Sequence, residues 1–455
     1  MVDWLAAMLV CAGFVWAGWP WAKAIPPVEP PVAASLALSY LAGTALVSLA
    51  ILGEALLGLP INRLTLLLAF LVVRRMHISA KPLGTVAPVA GRFTNWTAAL
   101  LGITALAMGY AMVQAVRLGS IESTDFLKAW GLKGLALAED HNLDFDHITS
   151  PNTFYPLELS NVHGAVLIVT GDRNDAVLRL PDALFGVALA VTMWWLLRRI
   201  APPTAAAAAL ALTVLPPEFT RQMTSGLADV ALAAYVTVCV LAAYLWLLDG
   251  TARWASLSGF AGGAAAWTKL EGALTCLVIL AAVLLIRRAV RTPGAGTWVL
   301  WFAVFTVPWQ IFQRLHSIPA NRSHFNSLHL DLPWIAKHVS STLIVASHWG
   351  LFWPLCITLI LVTAPVWLKT DVRLLAALVL PNLILTLLAY VTHYRGDQAS
   401  SVTATADRLY LHLAPSVAAL AVICAFQAFE GKAWSRPVWT VRARADDRLE
   451  PTRQL

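Results

Sequence analysis

The chain has 455 residues, of which 59% are hydrophobic and only 13% are charged, with a net charge of +7. Soluble domains carry about 25% charged residues, so the composition excludes an ordinary soluble protein. Repeated apolar runs of about 20 residues instead indicate an all-α integral membrane protein. The basic residues fall mostly in short loops between these runs, which argues against nucleic-acid binding.

Thirteen apolar runs are predicted to cross the bilayer. The first lacks a basic n-region and is predicted to be a retained helix, not a cleaved signal peptide. A further apolar segment, His163–Thr170, is too short to span and is predicted to be an interfacial helix in the first extracytoplasmic loop. The thirteen runs are 3–22, 33–58, 61–75, 95–116, 176–198, 203–217, 226–248, 255–268, 272–287, 297–315, 349–368, 374–394 and 408–429.

Basic residues decide the predicted orientation, because short cytoplasmic loops carry an excess of Lys and Arg. This rule places the arginine pairs Arg74-Arg75, Arg198-Arg199 and Arg287-Arg288 inside. The C-terminus is then cytoplasmic. The three large outer segments are 117–175, 316–348 and 395–407.

We expect three parts along the chain. Residues 1–94 hold extra N-terminal transmembrane helices and a basic cytoplasmic linker, residues 95–430 form the main membrane domain, and residues 431–455 form a basic cytoplasmic tail. All five cysteines lie within apolar segments and none pairs by spacing, which predicts neither a disulfide framework nor a cysteine metal site.

The first polar interruption contains Glu122 and Asp125, directly after the span 95–116. Carboxylates at the mouth of a span are costly unless they are paired, solvated or used. Their three-residue spacing places both on one face if this stretch is helical. A carboxylate there could deprotonate an acceptor hydroxyl.

A capping role is the alternative for the same stretch. Ser123 or Thr124 could cap a predicted helix Phe126–Glu139, with Asp125 favouring its positive N-terminal end. The two interpretations are compatible with each other.

A second candidate is the charged tip of a predicted hairpin, where Lys269 and Glu271 lie between two short apolar runs. A lysine there can hold a phosphate as a point charge. The alternative is a Lys–Glu pair that only stabilises the hairpin.

Three further candidates lie at predicted span starts. Arg408 could bind a donor phosphate or could be an interfacial anchor, and His412 lies one turn deeper on the same face. Asp229 is an intramembrane acid near an outer loop, and it could equally cap its helix.

A metal site is left open by the sequence. The segment Glu139–His147 holds His and Asp residues that could ligate a divalent cation, but their spacing matches no specific metal site and favours a solvated loop. The histidines of 316–348 are scattered and suggest no role. The chain has no P-loop and no dinucleotide fingerprint, so a nucleotide-driven pump is unsupported.

Six motifs in order resemble those of the GT-C superfamily of polytopic glycosyltransferases. More narrowly, they resemble the bacterial branch related to protein O-mannosyltransferases and lipid A aminoarabinose transferases. The resemblance covers about residues 95–430. The motifs are Asp125 with Trp130 and Lys133, Tyr155-Pro156-Leu157, Arg179-Leu180-Pro181, Asp229, the Thr268–Gly272 hairpin, and Arg408 with His412 and Pro415.

The resemblance implies a GT-C fold and inverting sugar transfer from a polyprenyl-phosphate-linked donor, outside a bacterial inner membrane. The acceptor would be a hydroxyl of a glycan, lipid or protein. Asp125 would be the general base, and Lys269 and Arg408 would contact the donor phosphate. Glu122, Glu271, Asp229, Tyr155 and His412 complete the expected site. A divalent metal ion stays possible, since close relatives differ in this respect.

Two other classes of function are weighed against the transferase. A lipid-linked sugar flippase would explain many spans and buried charge, although transporters often show internal repeats and none is evident here. A non-catalytic scaffold would have no need for Asp125, Lys269 and Arg408 to converge. If the transferase interpretation is right, these three residues from distant segments line one cavity that opens both to lipid and to the outside, whereas Asp125 and Arg408 on opposite sides of the molecule would rule it out.

Overall fold

The computed structural model describes residues 2–76, 88–121, 123, 125–143, 153–171, 174–287, 293–318, 332–345, 347–392 and 398–430. Within these ranges the chain is helical, with no strand, and the predicted all-α membrane class is confirmed. The helices are α1 (Val2–Ala24), α2 (Val32–Leu56), α3 (Arg63–Arg75), α4 (Asn95–Arg117), α5 (Gly131–Asp140), α6 (Glu158–Thr170), α7 (Arg179–Leu197), α8 (Pro203–Val214), α9 (Pro217–Met223), α10 (Asp229–Asp249), α11 (Ala252–Thr268), α12 (Leu270–Arg287), α13 (Ala295–Leu315), α14 (Leu332–Leu343), α15 (Phe352–Val362), α16 (Ala364–Trp367), α17 (Val372–Thr392), α18 (Gln398–Leu411) and α19 (Ala414–Glu430).

Every predicted apolar run coincides with a helix or with two consecutive helices. In the described part of the chain, six helices are long and apolar enough to cross a membrane, and a bent pair would make a seventh. The six are α1, α2, α4, α7 with its preceding turn, α10 and α13. Four shorter apolar helices, α8, α12, α15 and α17, accompany them. The protein is therefore multi-pass, and the number of thirteen spans stays a prediction.

The last predicted span is broken. α18 and α19 meet at an angle of 58°, because Pro415 in the first turn of α19 has no N–H to continue the ladder and its ring crowds the preceding turn. Arg408 consequently lies in the last turn of α18, and His412 lies in the break. That Arg408 opens the last span, with His412 one turn deeper, stays a prediction, and the structure adds a bend at His412.

α2 is packed into the centre of the molecule by polar contacts as well as apolar ones. The Tyr40 hydroxyl donates to the Pro181 carbonyl at 2.8 Å, and the Trp267 indole donates to the Ser48 hydroxyl at 3.0 Å. Asn161 donates to the Ser48 carbonyl at 2.9 Å. These bonds connect α2 to α6, α7 and α11, so the predicted boundary at residue 94 does not separate α2 from the helices beyond it.

α6 is the short apolar helix expected in the first loop. Its residues Glu158–Ile168 are all buried, and α6 contacts α1, α2, α3, α5 and α11. An apolar helix too short to span is therefore enclosed by its neighbours. This enclosure brings Glu158 and the preceding Tyr155 against the helices that carry the candidate site.

Candidate functional site

Asp229 in the first turn of α10 is the centre of a buried group of charges. Its side chain has no exposed surface. One carboxylate oxygen, Oδ1, accepts from Lys269 Nζ at 3.0 Å and from His412 Nε2 at 2.8 Å, while Oδ2 accepts from Arg408 Nε at 2.8 Å. Ala228 occupies the N-cap position without a side-chain cap bond. Asp229 thus neutralises the buried cations around it, which would be costly without a negative partner.

Arg408 connects this centre to Asp125. Its Nη1 donates to Asp125 Oδ2 while its Nε holds Asp229. A planar guanidinium can bridge two carboxylates in this way because its donors lie in a fixed fork. The Arg408 side chain is 13% exposed and that of Asp125 is 45% exposed. Asp125 is therefore the accessible end of the group.

The loop that carries Asp125 is held in position by hydrogen bonds to α7 and to the turn before α7. Arg179 donates to the carbonyls of Gly119, at 3.1 and 3.2 Å, and Ser120, at 2.9 Å. The backbone N–H of Ile121 donates to Asp175 Oδ2 at 3.0 Å. These bonds set where the chain leaves α4, and hence where Asp125 lies.

A single turn of π-helix, Phe126–Trp130, follows Asp125 and runs into α5. The predicted helix Phe126–Glu139 is thus present with an irregular first turn. The Ser123 hydroxyl lies 3.5 Å from the Phe126 N–H, a long capping contact, and Asp125 makes no side-chain cap bond. Glu122 and Thr124 lie outside the described residues.

Lys269 lies in the break between α11 and α12. Its backbone is extended, with φ of −158° and ψ of 150°, and its side chain is 4% exposed. Nζ also lies 3.5 Å from Glu271 Oε1, and the Glu271 side chain is 34% exposed. A Cβ on Gly272 would lie 2.2 Å from the Ala265 carbonyl oxygen, so this glycine allows the tight crossing of α11 and α12.

An aromatic wall lies beside the charges. The Trp130 ring centroid is 5.8 Å from Lys269 Nζ and 5.4 Å from the Tyr155 ring. Lys133 holds this wall by donating to the Tyr155 carbonyl at 2.8 Å. Burial raises the pKa of the Tyr155 hydroxyl well above its ordinary value, and the nearby carboxylate of Glu271 adds to the rise. Tyr155 is therefore a neutral hydroxyl at the edge of the charged group.

The structure brings together seven of the predicted site residues, which we call the charged cluster: Asp125, Asp229, Lys269, Glu271, Arg408, His412 and Tyr155. Asp125 and Arg408 are 283 residues apart in the chain and in direct contact. This convergence disfavours a non-catalytic scaffold, which would have no need for it. The catalytic and binding roles of the individual residues stay predictions.

Other metal-ligand candidates fall elsewhere. Residues 144–147 of the predicted Glu139–His147 segment lie outside the described residues, while His141 Nδ1 lies 3.1 Å from the Ile61 carbonyl oxygen. Sequence reasoning missed a different group, Glu218, His348 and Asp407. The adjacency of Asp407 to Arg408 was the one available signal.

Two comparisons place the chain among known proteins. Residues 162–312 match the family model described as dolichyl-phosphate-mannose-protein mannosyltransferase. The structure is similar to that of ArnT from Cupriavidus metallidurans bound to undecaprenyl phosphate, with a TM-score of 0.52 at 15% identity. The similarity covers 75% of this chain and 61% of the ArnT chain. No curated protein matches the chain.

The chain therefore has a fold like that of the ArnT structure, as expected for a GT-C fold, and the resemblance noted in the sequence is confirmed. The family match contains Asp229, Lys269 and Glu271 but ends before Arg408 and begins after Asp125. The contact of Arg408 with Asp125 therefore comes from the structure of this chain, beyond the matched segment.

Proposed function

We propose that this protein transfers a sugar from a polyprenyl-phosphate-linked donor to an acceptor hydroxyl, with inversion, on the extracytoplasmic side of a bacterial inner membrane. The observation that carries the proposal is the bridge from Asp125 through Arg408 to Asp229 and Lys269. It combines two cations suited to phosphate with an accessible carboxylate. The ArnT structure is described as bound to undecaprenyl phosphate, a lipid of the same class.

The charges of the cluster suit a phosphodiester. Lys269 contacts buried Asp229 and, at 3.5 Å, Glu271, whereas Arg408 is shared between Asp229 and Asp125. Asp125 is the accessible carboxylate partner of Arg408. A donor phosphate with one negative charge can replace Asp125 on the guanidinium, since Arg binds phosphate oxygens as readily as carboxylate. Donor binding would then release Asp125.

The released Asp125 acts as the general base. It accepts the proton of the acceptor hydroxyl, whose oxygen bonds to the anomeric carbon on the face opposite the phosphate. The bond from the anomeric carbon to the phosphate oxygen breaks, and its electron pair leaves with the polyprenyl phosphate. Lys269 and Arg408 stabilise the negative charge that develops there. No general acid is needed, because phosphate is already a good leaving group.

This mechanism predicts an order of binding. Before the donor arrives, Arg408 holds Asp125 and the base is occupied. The acceptor is therefore activated only after the donor has bound. The rings of Tyr155, in the charged cluster, and of Trp130, beside it, would contact the sugar or the first isoprene unit.

The test compares wild type with Asp125→Asn for transfer from a panel of short-chain polyprenyl-phosphate sugars. We expect transfer or slow donor hydrolysis by wild type, and a loss of about 10²–10⁴-fold in the variant, the usual range for removing a general base. Ser123→Ala is the matched control, because it changes the same loop without touching Arg408. Donor binding should persist in Asp125→Asn.

Two results would reject the proposal. Normal turnover by Asp125→Asn would remove Asp125 as the base. Specific donor binding by both proteins without turnover of any donor would favour a lipid-linked sugar flippase instead.

A further inference from the structure

A second group of ligand-type side chains lies next to the charged cluster. Glu218 of α9, His348 in the turn before α15, and Asp407 of α18 each offer one ligand atom, and these atoms lie within 4.8 Å of one another. The Glu218 side chain is fully buried and that of Asp407 is 5% exposed, whereas His348 is 37% exposed. Two of the three ligand side chains are therefore buried, and solvent reaches the group at His348.

The three segments are held together by bonds that do not require a metal. The backbone N–H of Glu218 donates to the His348 carbonyl at 2.9 Å. The Trp349 indole donates to Asp407 Oδ1 at 3.0 Å, which leaves Oδ2 facing His348 Nδ1. Partners of this kind orient ligand carboxylates in metal sites.

We propose that Glu218, His348 and Asp407 form a binding site for a divalent transition-metal cation of the Zn²⁺ class. One imidazole nitrogen and two carboxylate oxygens match the three protein ligands that Zn²⁺ takes when its fourth position is open. Imidazole nitrogen disfavours Mg²⁺ and Ca²⁺, which prefer oxygen ligands. Because the His348 side chain is 37% exposed, water could supply the fourth ligand.

The charges also admit a cation. Glu218 accepts from Arg221 Nε at 2.8 Å and Nη2 at 2.6 Å, and from Gln222 Nε2 at 2.6 Å. A carboxylate has about four lone-pair sites, so one remains for a metal. With neutral His348, the charges of Glu218, Asp407 and Arg221 sum to one negative charge. Metal binding requires a free Nδ1 lone pair on His348, so any proton held there is released.

The proposed cation would fix the position of α18. Asp407 directly precedes Arg408, so a metal bond from Asp407 to α9 and to the His348 turn restrains the arginine that holds Asp229 and Asp125. This consequence, but not the metal site itself, rests on the proposed glycosyltransferase function. It makes Asp407 and His348 positioning residues for Arg408.

The test uses the full chain, purified in detergent, stripped with a chelator and titrated with Co²⁺ or Zn²⁺. We expect about one bound metal per chain, with Co²⁺ giving visible absorption bands of a low-coordinate site. His348→Ala should reduce the bound metal at least ten-fold. His338→Ala is the matched control, since His338 is part-buried on α14, where its Nδ1 contacts the Trp334 carbonyl oxygen at 2.9 Å.

Equal metal content in His348→Ala and wild type would overturn the proposal, as would a wild type that binds no metal. Glu218→Gln provides a second variant in case His348→Ala does not fold, and it should also lose metal. None of these measurements involves a sugar donor, so a failure of the transferase proposal would leave their result intact. Transfer by metal-loaded and metal-free wild type then tests the positioning role separately.

Discussion

Asp229 and Glu158 are both fully buried carboxylates in the first turn of a helix, yet their surroundings differ in kind. Asp229 is surrounded by Lys269, Arg408 and His412. Glu158 accepts instead from the Tyr235 hydroxyl at 2.9 Å and the Thr268 hydroxyl at 3.1 Å. The first environment stabilises an ionised carboxylate and organises cations, whereas in the second, burial without a cation favours the protonated carboxyl group.

This difference in surroundings makes Asp229 part of a candidate functional site and Glu158 a structural residue. Cations gathered around Asp229 can exchange one carboxylate partner for a phosphate, because Arg408 also reaches the accessible Asp125. The hydroxyls around Glu158 have no charge to offer a substrate. Glu158 nevertheless lies behind the site, since Thr268 directly precedes Lys269. We therefore interpret Glu158 as a support for the break that presents Lys269.

Asp229→Asn should have the largest effect on both stability and transfer. The variant leaves Lys269 and Arg408 buried without their shared negative charge, and breaking a buried ion pair in this way costs about 3–5 kcal/mol. Thermal unfolding in detergent should show a clear loss of stability, and transfer should be abolished. A loss of stability no larger than that of an exposed substitution would show that the cations do not depend on Asp229.

Glu158→Gln should have a smaller effect, of opposite sign and dependent on pH. Burial raises the pKa of Glu158 to about 7, although hydrogen bonds from Tyr235 and Thr268 oppose the rise. In the unfolded chain the group titrates near its ordinary pKa of 4.5. The folded state thus holds a proton that the unfolded state loses between these values, so wild-type stability falls as the pH rises from about 4.5 to about 7.

The neutral glutamine does not share this loss. At pH 5 the variant and wild type should be similar, whereas at pH 8 the variant should be more stable by up to about 3 kcal/mol. Unfolding midpoints of both proteins at the two pH values measure the difference. A gap between the two proteins that does not change with pH would mean that Glu158 has the same protonation state when folded and unfolded.

The helices were largely predictable because each depends on a local apolar run. The break between α18 and α19 was not foreseen, although Pro415 was visible, because the apolar pattern continues across it. Individual site residues could be predicted from the sequence, because a charged residue within or beside an apolar run stands out. Their pairing could not, since Asp229 and Arg408 lie 179 residues apart and only the packing of α10 against α18 brings them together.

The burial of Glu158 could not be predicted from the sequence. Glu158 lies three residues after Tyr155, which was predicted as a site residue, but a short apolar helix gave no reason to expect full burial. The enclosure of α6 by α2 and α11 depends on contacts such as Asn161 with Ser48. These contacts involve residues 1–94, the part for which the sequence suggested no role.

Tyr235→Phe should have the smallest effect on stability, and its pH dependence tests whether the Tyr235 hydroxyl acts through Glu158. The Tyr235 hydroxyl contacts Glu158 Oε1 at 2.9 Å, Thr44 Oγ1 at 3.0 Å and the Leu41 carbonyl oxygen at 2.9 Å. Removing it should cost about 1–2 kcal/mol, the usual loss when a buried polar group is left without a partner. The cost should grow from pH 5 to pH 8, because an ionised Glu158 depends more on its remaining donors. In the Glu158→Gln background this growth should vanish, which a double-mutant cycle at both pH values would measure. If the growth persists there, the hydroxyl acts through Thr44 or Leu41, and the support of Lys269 does not run through Glu158.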